Sequence, residues 1–165
     1  MNNYEPWIIT AREYLETAKL ALGAGYHGPA YFNAAHSGEL ALKSLLVNLD
    51  FSENSIKSHN EIDLFDRIKS SGKYPKELIE EIEPLIKPFA EDPFYNIPHT
   101  DVWFDNGERK AEIICDQGQA KHTKYPQHSV APSEYLDEGD ADVEITLCEK
   151  LISLIESYFS QGRIL

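Results

Sequence analysis

The chain has 165 residues, 42% hydrophobic and 11% aromatic, enough to bury one proper core and short for several domains. With 28 acidic against 15 basic side chains the formal net charge is −13, which excludes a surface that grips nucleic acid over its whole extent and makes any polyanion contact local. No run approaches the roughly 20 apolar residues that cross a bilayer, and the opening MNNYEPW lacks the basic and apolar parts of a signal peptide.

The two cysteines, Cys115 and Cys148, are too few for a disulfide scaffold. A cytoplasmic protein with two reduced thiols is expected. Pro6 marks a first helix start, and Trp7, Ala11, Leu15, Ala18 and Leu22 recur at the spacing of an apolar stripe. Arg12, Glu13, Glu16 and Lys19 cover its other side, and Gly23 and Gly25 end it. Pro29 opens a second helix that runs to about Asp50. Tyr31, Ala35, Leu42, Leu45 and Leu49 form one face, widened by Phe32, Leu46 and Val47. Ala34, Ala35, Gly38 and Ala41 are small and lie near each other at helical spacing. Gly38 costs a helix roughly 1 kcal/mol against alanine, so close approach of another helix is its expected purpose. The short link makes the first two helices an antiparallel hairpin, with the second at the centre of the domain. On it, His36 reads as a packed, hydrogen-bonded histidine, and Lys43 as a side chain that snorkels to solvent.

Ser58-His59-Asn60-Glu61 has the S-x-x-E form of a capping box. It starts a third helix that buries Ile62, Leu64, Phe65 and Ile68 and ends at Ser70, Ser71 and Gly72. His59 reads as helping to position that start. A fourth helix opens at Pro75 with Leu78, Ile79, Ile82, Leu85 and Ile86 inward, and Pro84 is expected to kink or end it. Residues 88–107 combine Pro88, Pro93 and Pro98 with Phe89, Phe94, Tyr95, Trp103 and Phe104, an aromatic loop packed over the core or lining a binding surface. Asn106 caps a further expected helix from Gly107 to about Ala120, with Ala111, Ile113 and Ile114 inward.

Lys121-His122-Thr123-Lys124-Tyr125-Pro126-Gln127-His128 is the one place where basic residues, histidines and an aromatic crowd together. After a loop over 129–139 the last helix begins near Asp140. Val143, Leu147, Leu151, Leu154 and Tyr158 make one stripe on it; Ile145, Cys148, Ile152, Ile155 and Phe159 make a second. A helix apolar on two sides is central or shared with another subunit. Residues 134–149 hold seven acids (Glu134, Asp137, Glu138, Asp140, Asp142, Glu144 and Glu149) and no Lys or Arg. They read as a solvated loop and helix start, or as a docking face for a basic partner. The whole is an all-α, up-and-down bundle of about five to six helices in a single domain, 1–165.

Order and spacing resemble the HEPN family (higher eukaryotes and prokaryotes nucleotide-binding domain). The first helix carries W-x3-A-x3-L-x2-A, and the second reads Tyr31-F-N-A-A-H-S-G-E-L-A-L-Lys43, similar to the family's aromatic-plus-small run ending in E-L-x-L-K. His59 matches the family's histidine ahead of the third helix, and Thr123-Lys124-Tyr125-Pro126 is similar to its R-Y-P signature. Residues 88–107 look like an insertion. The resemblance implies a helical bundle that commonly dimerises, and one of three roles. The first is a metal-independent ribonuclease, often a toxin of a toxin–antitoxin or antiphage system. The second is a substrate-binding or toxin partner of a minimal nucleotidyltransferase. The third is an inactive nucleotide- or RNA-binding module. A reading from a different class is a structural interaction module, using the acidic 134–149 segment or the two-sided last helix to hold a partner.

Ribonuclease members carry an Arg, then four to six intervening residues, then a His, the His moving the proton of the ribose 2′-hydroxyl and the Arg stabilising phosphate charge. None of Arg12, Arg67, Arg109 and Arg163 has a histidine at that spacing. The nearest pair is Lys124 and His128, one residue short and with lysine in place of the planar guanidinium. A non-catalytic homodimer that binds nucleotide or RNA at Lys121, His122, Lys124, Tyr125 and His128 is therefore expected, with Lys124 and His128 carrying any catalysis. His122 and His128 have no further ligands at zinc spacing, so no metal is expected. No cofactor is expected either: Gly23-Ala24-Gly25 follows no strand and makes no phosphate loop.

Overall fold

The computed structural model describes residues 4–51, 56–91, 99–105, 108–114 and 137–161. They form five helices, α1 (Glu5–Gly23), α2 (His27–Asn48), α3 (Glu61–Ser71), α4 (Lys76–Glu91) and α5 (Glu138–Ser160). An antiparallel strand pair, β1 (His99–Asp105) and β2 (Glu108–Ile114), lies between α4 and α5 in the chain. The core is all-helical, as the periodicities require.

Pro6 sits in the first turn of α1, where its missing N–H is one that no helical carbonyl would use. Gly25 has φ +80°, the left-handed conformation in which a side chain is strained. The chain reverses there within three residues, and α1 packs along α2 more extensively than any other pair of helices. Ala11, Leu15 and Ala18 are fully buried, the alanines letting the two backbones close. From Ala34 to Val47 every residue of α2 except His36 is buried, because α1, α3 and α5 all pack on it. At Gly38 an added Cβ would lie 3.0 Å from Cys148 Sγ of α5, so the glycine is there for the approach of that helix.

On α5 the stripe Ile145, Cys148, Ile152, Ile155 and Phe159 is wholly buried. Of the other stripe Leu151 and Tyr158 are buried, while Val143 is 59% exposed. The helix starts at Glu138, two residues ahead of Asp140, because Asp137 and Asp140 close a reciprocal capping box. Much of the acidic stretch is thereby used internally. Glu149 pairs with Lys19 at 2.7 Å, Arg12 pairs with Glu156, and Glu144 is buried. The two ion pairs clasp α1 to α5 at the surface, where such bonds add little, about 0–1 kcal/mol each.

Four expectations are corrected. Of the two outcomes expected at Pro84, a kink or an end, the end does not occur: helix α4 runs to Glu91 through Pro84 and Pro88. Both prolines lie on its exposed face, opposite buried Leu78, Ile82 and Ile86, so the carbonyls they leave unpaired are open to water. The helix expected over 107–120 is instead strand β2 across Glu108–Ile114, paired with β1 so that Asp105 faces Glu108 and His99 faces Ile114. The stretch 88–107 is accordingly helix to residue 91 and strand from 99 to 105 where it is described. At α3 the cap is Asn60, whose side chain accepts from Asp63 N at 2.8 Å, and Ser58 accepts from Asn60 N instead. Glu61 is then free to turn inward. Between α3 and α4, Tyr74 O–H donates to the Leu45 carbonyl at 2.7 Å and ties that corner to α2.

Candidate functional site

The polar groups of the interior gather around one carboxylate. Glu39 sits mid-way along α2, its side chain 1% exposed. Lys43, one turn on, donates to its Oε1 at 2.6 Å. Lys43 is therefore buried, not snorkelling to solvent, because α2 has neighbours on every side and leaves its ammonium no aqueous exit. His36, one turn back, brings Nδ1 to within 3.4 Å of Oε2. Its ring lies edge-on to Tyr14 and stacks on Phe32, the packed histidine that the sequence leads one to expect.

The third partner comes from another element. His59, in the loop ahead of α3, sets Nδ1 3.1 Å from both Glu39 oxygens. Burial alone would raise the Glu39 carboxyl. The hydrogen bond from His36, with the charge and bond of Lys43, overcomes that and holds it at about 2. Glu39 is thus a permanent anion that fixes two imidazoles and a lysine. The His59 side chain is 61% exposed. Its Nδ1 is held by Glu39, which leaves Nε2 as the ring nitrogen not bonded to the carboxylate on a mostly exposed side chain. A carboxylate behind an imidazole sets its tautomer and its ring plane, the arrangement that readies the free nitrogen for a ligand.

Behind this group lies Glu61, wholly buried, with neither carboxyl oxygen hydrogen-bonded. Burial first, then the charges of Glu39 and Glu144, push its carboxyl well above the usual 4.5. It is kept as the neutral acid. Cys148 on α5 bonds to Glu144 Oε1 at 3.5 Å, and burial with Glu144 pushes this thiol well up too, so it is an inert reduced cysteine. Among the described residues no three His, Cys, Asp or Glu side chains come together as a metal-holding group.

The proton on Glu61 has a consequence for stability. A carboxyl raised in the folded state supplies stability below its unfolded value that is lost as pH rises through its folded value. The unfolding midpoint should therefore fall as pH rises above the ordinary carboxyl value of 4.5, and Glu61→Gln, which keeps shape without an ionisable proton, should flatten that fall. Parallel curves for the two proteins would show that Glu61 is not the group responsible.

Lys121, His122, Lys124, Tyr125 and His128 lie outside the described residues, as does Cys115. Two arginines are engaged in ion pairs, Arg12 with Glu156 and Arg67 with Asp63 at 3.0 Å. Sequence reasoning places His59 at the helix start but misses Glu39 as its partner. The signal for it is Glu39 and Lys43 four residues apart on a helix apolar all round.

A family profile described as HEPN domain matches residues 4–158. Among solved structures, TT1696 from Thermus thermophilus is 20% identical and superimposes with a TM-score of 0.60, over 95% of this chain and 98% of that one. At that identity the likeness is one of fold. No curated protein matches this chain. No helix among the described residues is long and apolar enough to cross a membrane.

Proposed function

The chain belongs to the HEPN domain family, and from that premise we propose that it binds a nucleotide or RNA as a homodimer, without turning the ligand over. The observation that carries this is the segment Lys121–His128, two lysines, two histidines and a tyrosine together on a chain of net charge −13. Lys121 and Lys124 meet phosphate, Tyr125 stacks on a base, a contact worth roughly 1–3 kcal/mol, and His122 and His128 complete the polar lining. A minimal nucleotidyltransferase is the partner that family membership suggests.

The test is titration of a mononucleotide and a short RNA against wild type and Lys124→Ala. Loss of a charged contact costs about 1.5–3 kcal/mol, so the variant should bind tenfold or more weakly. Equal binding by both proteins, or none by wild type, removes the site. Incubation of RNA with wild type and His128→Ala in EDTA discriminates a ribonuclease toxin: cleavage that the variant abolishes would replace the binding reading with the catalytic one. Two features weigh against it, the absence of the Arg–His spacing and the engagement of Arg12 and Arg67 in ion pairs.

A further inference from the structure

The geometry points to a second anion subsite in the Lys57–His59 corner, in which His59 Nε2 donates to a phosphate oxygen and Glu39 acts as the positioning residue behind it. This rests on the reading of the protein as a nucleotide or RNA binder, since the ligand is the phosphodiester of such a chain.

Three observations converge. Glu39 is a buried, permanently ionised carboxylate whose bonds to His59 Nδ1 fix that nitrogen as the donor, at 3.1 Å to each oxygen. The ring it holds is mostly exposed, so the opposite nitrogen is presented outward from a rigid base. An imidazole wandering free on a surface would lose ordering entropy on binding; this one is already ordered. Two residues earlier, Lys57 is exposed with no ion-pair partner among the described residues.

The charges facing His59 decide which ligand fits. From α2 come Glu39, cancelled by Lys43, and His36. From α3 come Glu61, held neutral, and Asp63, which is paired with Arg67. From the loop itself comes Lys57. With Glu39 and Asp63 paired, Lys57 is the charge the corner leaves over, and an anion is the ligand that answers it. In the sequence this role is hidden, because a histidine beside S-x-x-E reads as capping.

The experiment is an NMR titration of the His59 ring resonances in wild type, His59→Gln and Lys124→Ala. The probes are sulfate, whose charge is constant between pH 6 and pH 8, and a uridine dinucleotide, whose phosphodiester is likewise constant. The subsite requires that His59 shift on adding either probe at pH 6. His59→Gln should weaken binding of either probe about fivefold or more while the fold stays intact, since the side chain is exposed. His59 resonances that stay still, at any probe concentration, overturn the subsite. If the dinucleotide binds, Lys124→Ala loses it and His59 never moves, the nucleotide reading survives and the subsite falls. If sulfate moves His59 and no nucleotide binds, the subsite stands and the nucleotide reading falls.

Discussion

Lys43→Met should destabilise the protein by about 3–5 kcal/mol, because it leaves the Glu39 carboxylate charged and buried without its cation. The measurement is denaturant unfolding of wild type and variant at fixed pH. Two features of the cluster sharpen the expectation. His36 and His59 also bond to Glu39, so part of the hydrogen bonding to the carboxylate survives the substitution. Removing both charges together, as Glu39→Leu with Lys43→Met, should recover much of the stability, since a buried pair replaced by apolar groups of similar volume is often neutral or better. A loss under about 1 kcal/mol for the single variant would mean that Lys43 finds water.

Gly38→Val should cost about 3 kcal/mol, at the upper end of what overpacking typically does. The first added carbon already meets Cys148 Sγ at 3.0 Å and Leu151 Cδ2 at 4.0 Å, and valine adds two methyls where the helices have no slack. Gly38→Ala is a gentler case: the roughly 1 kcal/mol it gains in helix propensity opposes a single tight contact, and its net effect should be small. Pairing Gly38→Val with Cys148→Ala removes the sulfur in the way and should restore part of the loss, the non-additivity expected of touching residues. Full stability of Gly38→Val alone would mean that α2 and α5 are not in close contact.

Helices α1, α2 and α5 are legible because their apolar residues recur at helical spacing and their small residues have one evident use, close packing. The prolines mislead: Pro84 removes a backbone bond wherever it sits, but on this exposed face water can take the carbonyl it frees, and the helix continues. The strands escape notice for a reason that lies in the residues themselves. Asn106-Gly107 is the strongest two-residue hairpin signal there is, and it falls between the paired ends Asp105 and Glu108; reading Asn106 as a helix cap spends that signal on the wrong element. The polar cluster is partly hidden for an energetic reason. Glutamate, lysine and histidine are surface residues by default, and only the helix apolar on all sides around Glu39 and Lys43 says otherwise. Glu61 looks like part of a cap because its spacing from Ser58 fits one, whereas Asn60 competes for the same amides and wins. The segment 121–128 is legible from its composition alone.

Tyr4 stacks on Phe159 with ring centroids 3.7 Å apart, and α1 and α2 both pack on α5. The hairpin leaves the ribosome before α5 and cannot cover the flank α5 packs on until that helix, about 90 residues further along, has been made. At a translation rate of roughly 5–20 residues per second that is several seconds of exposure. Slowing synthesis between α2 and α5 should therefore lower the soluble yield, read as the soluble fraction after expression.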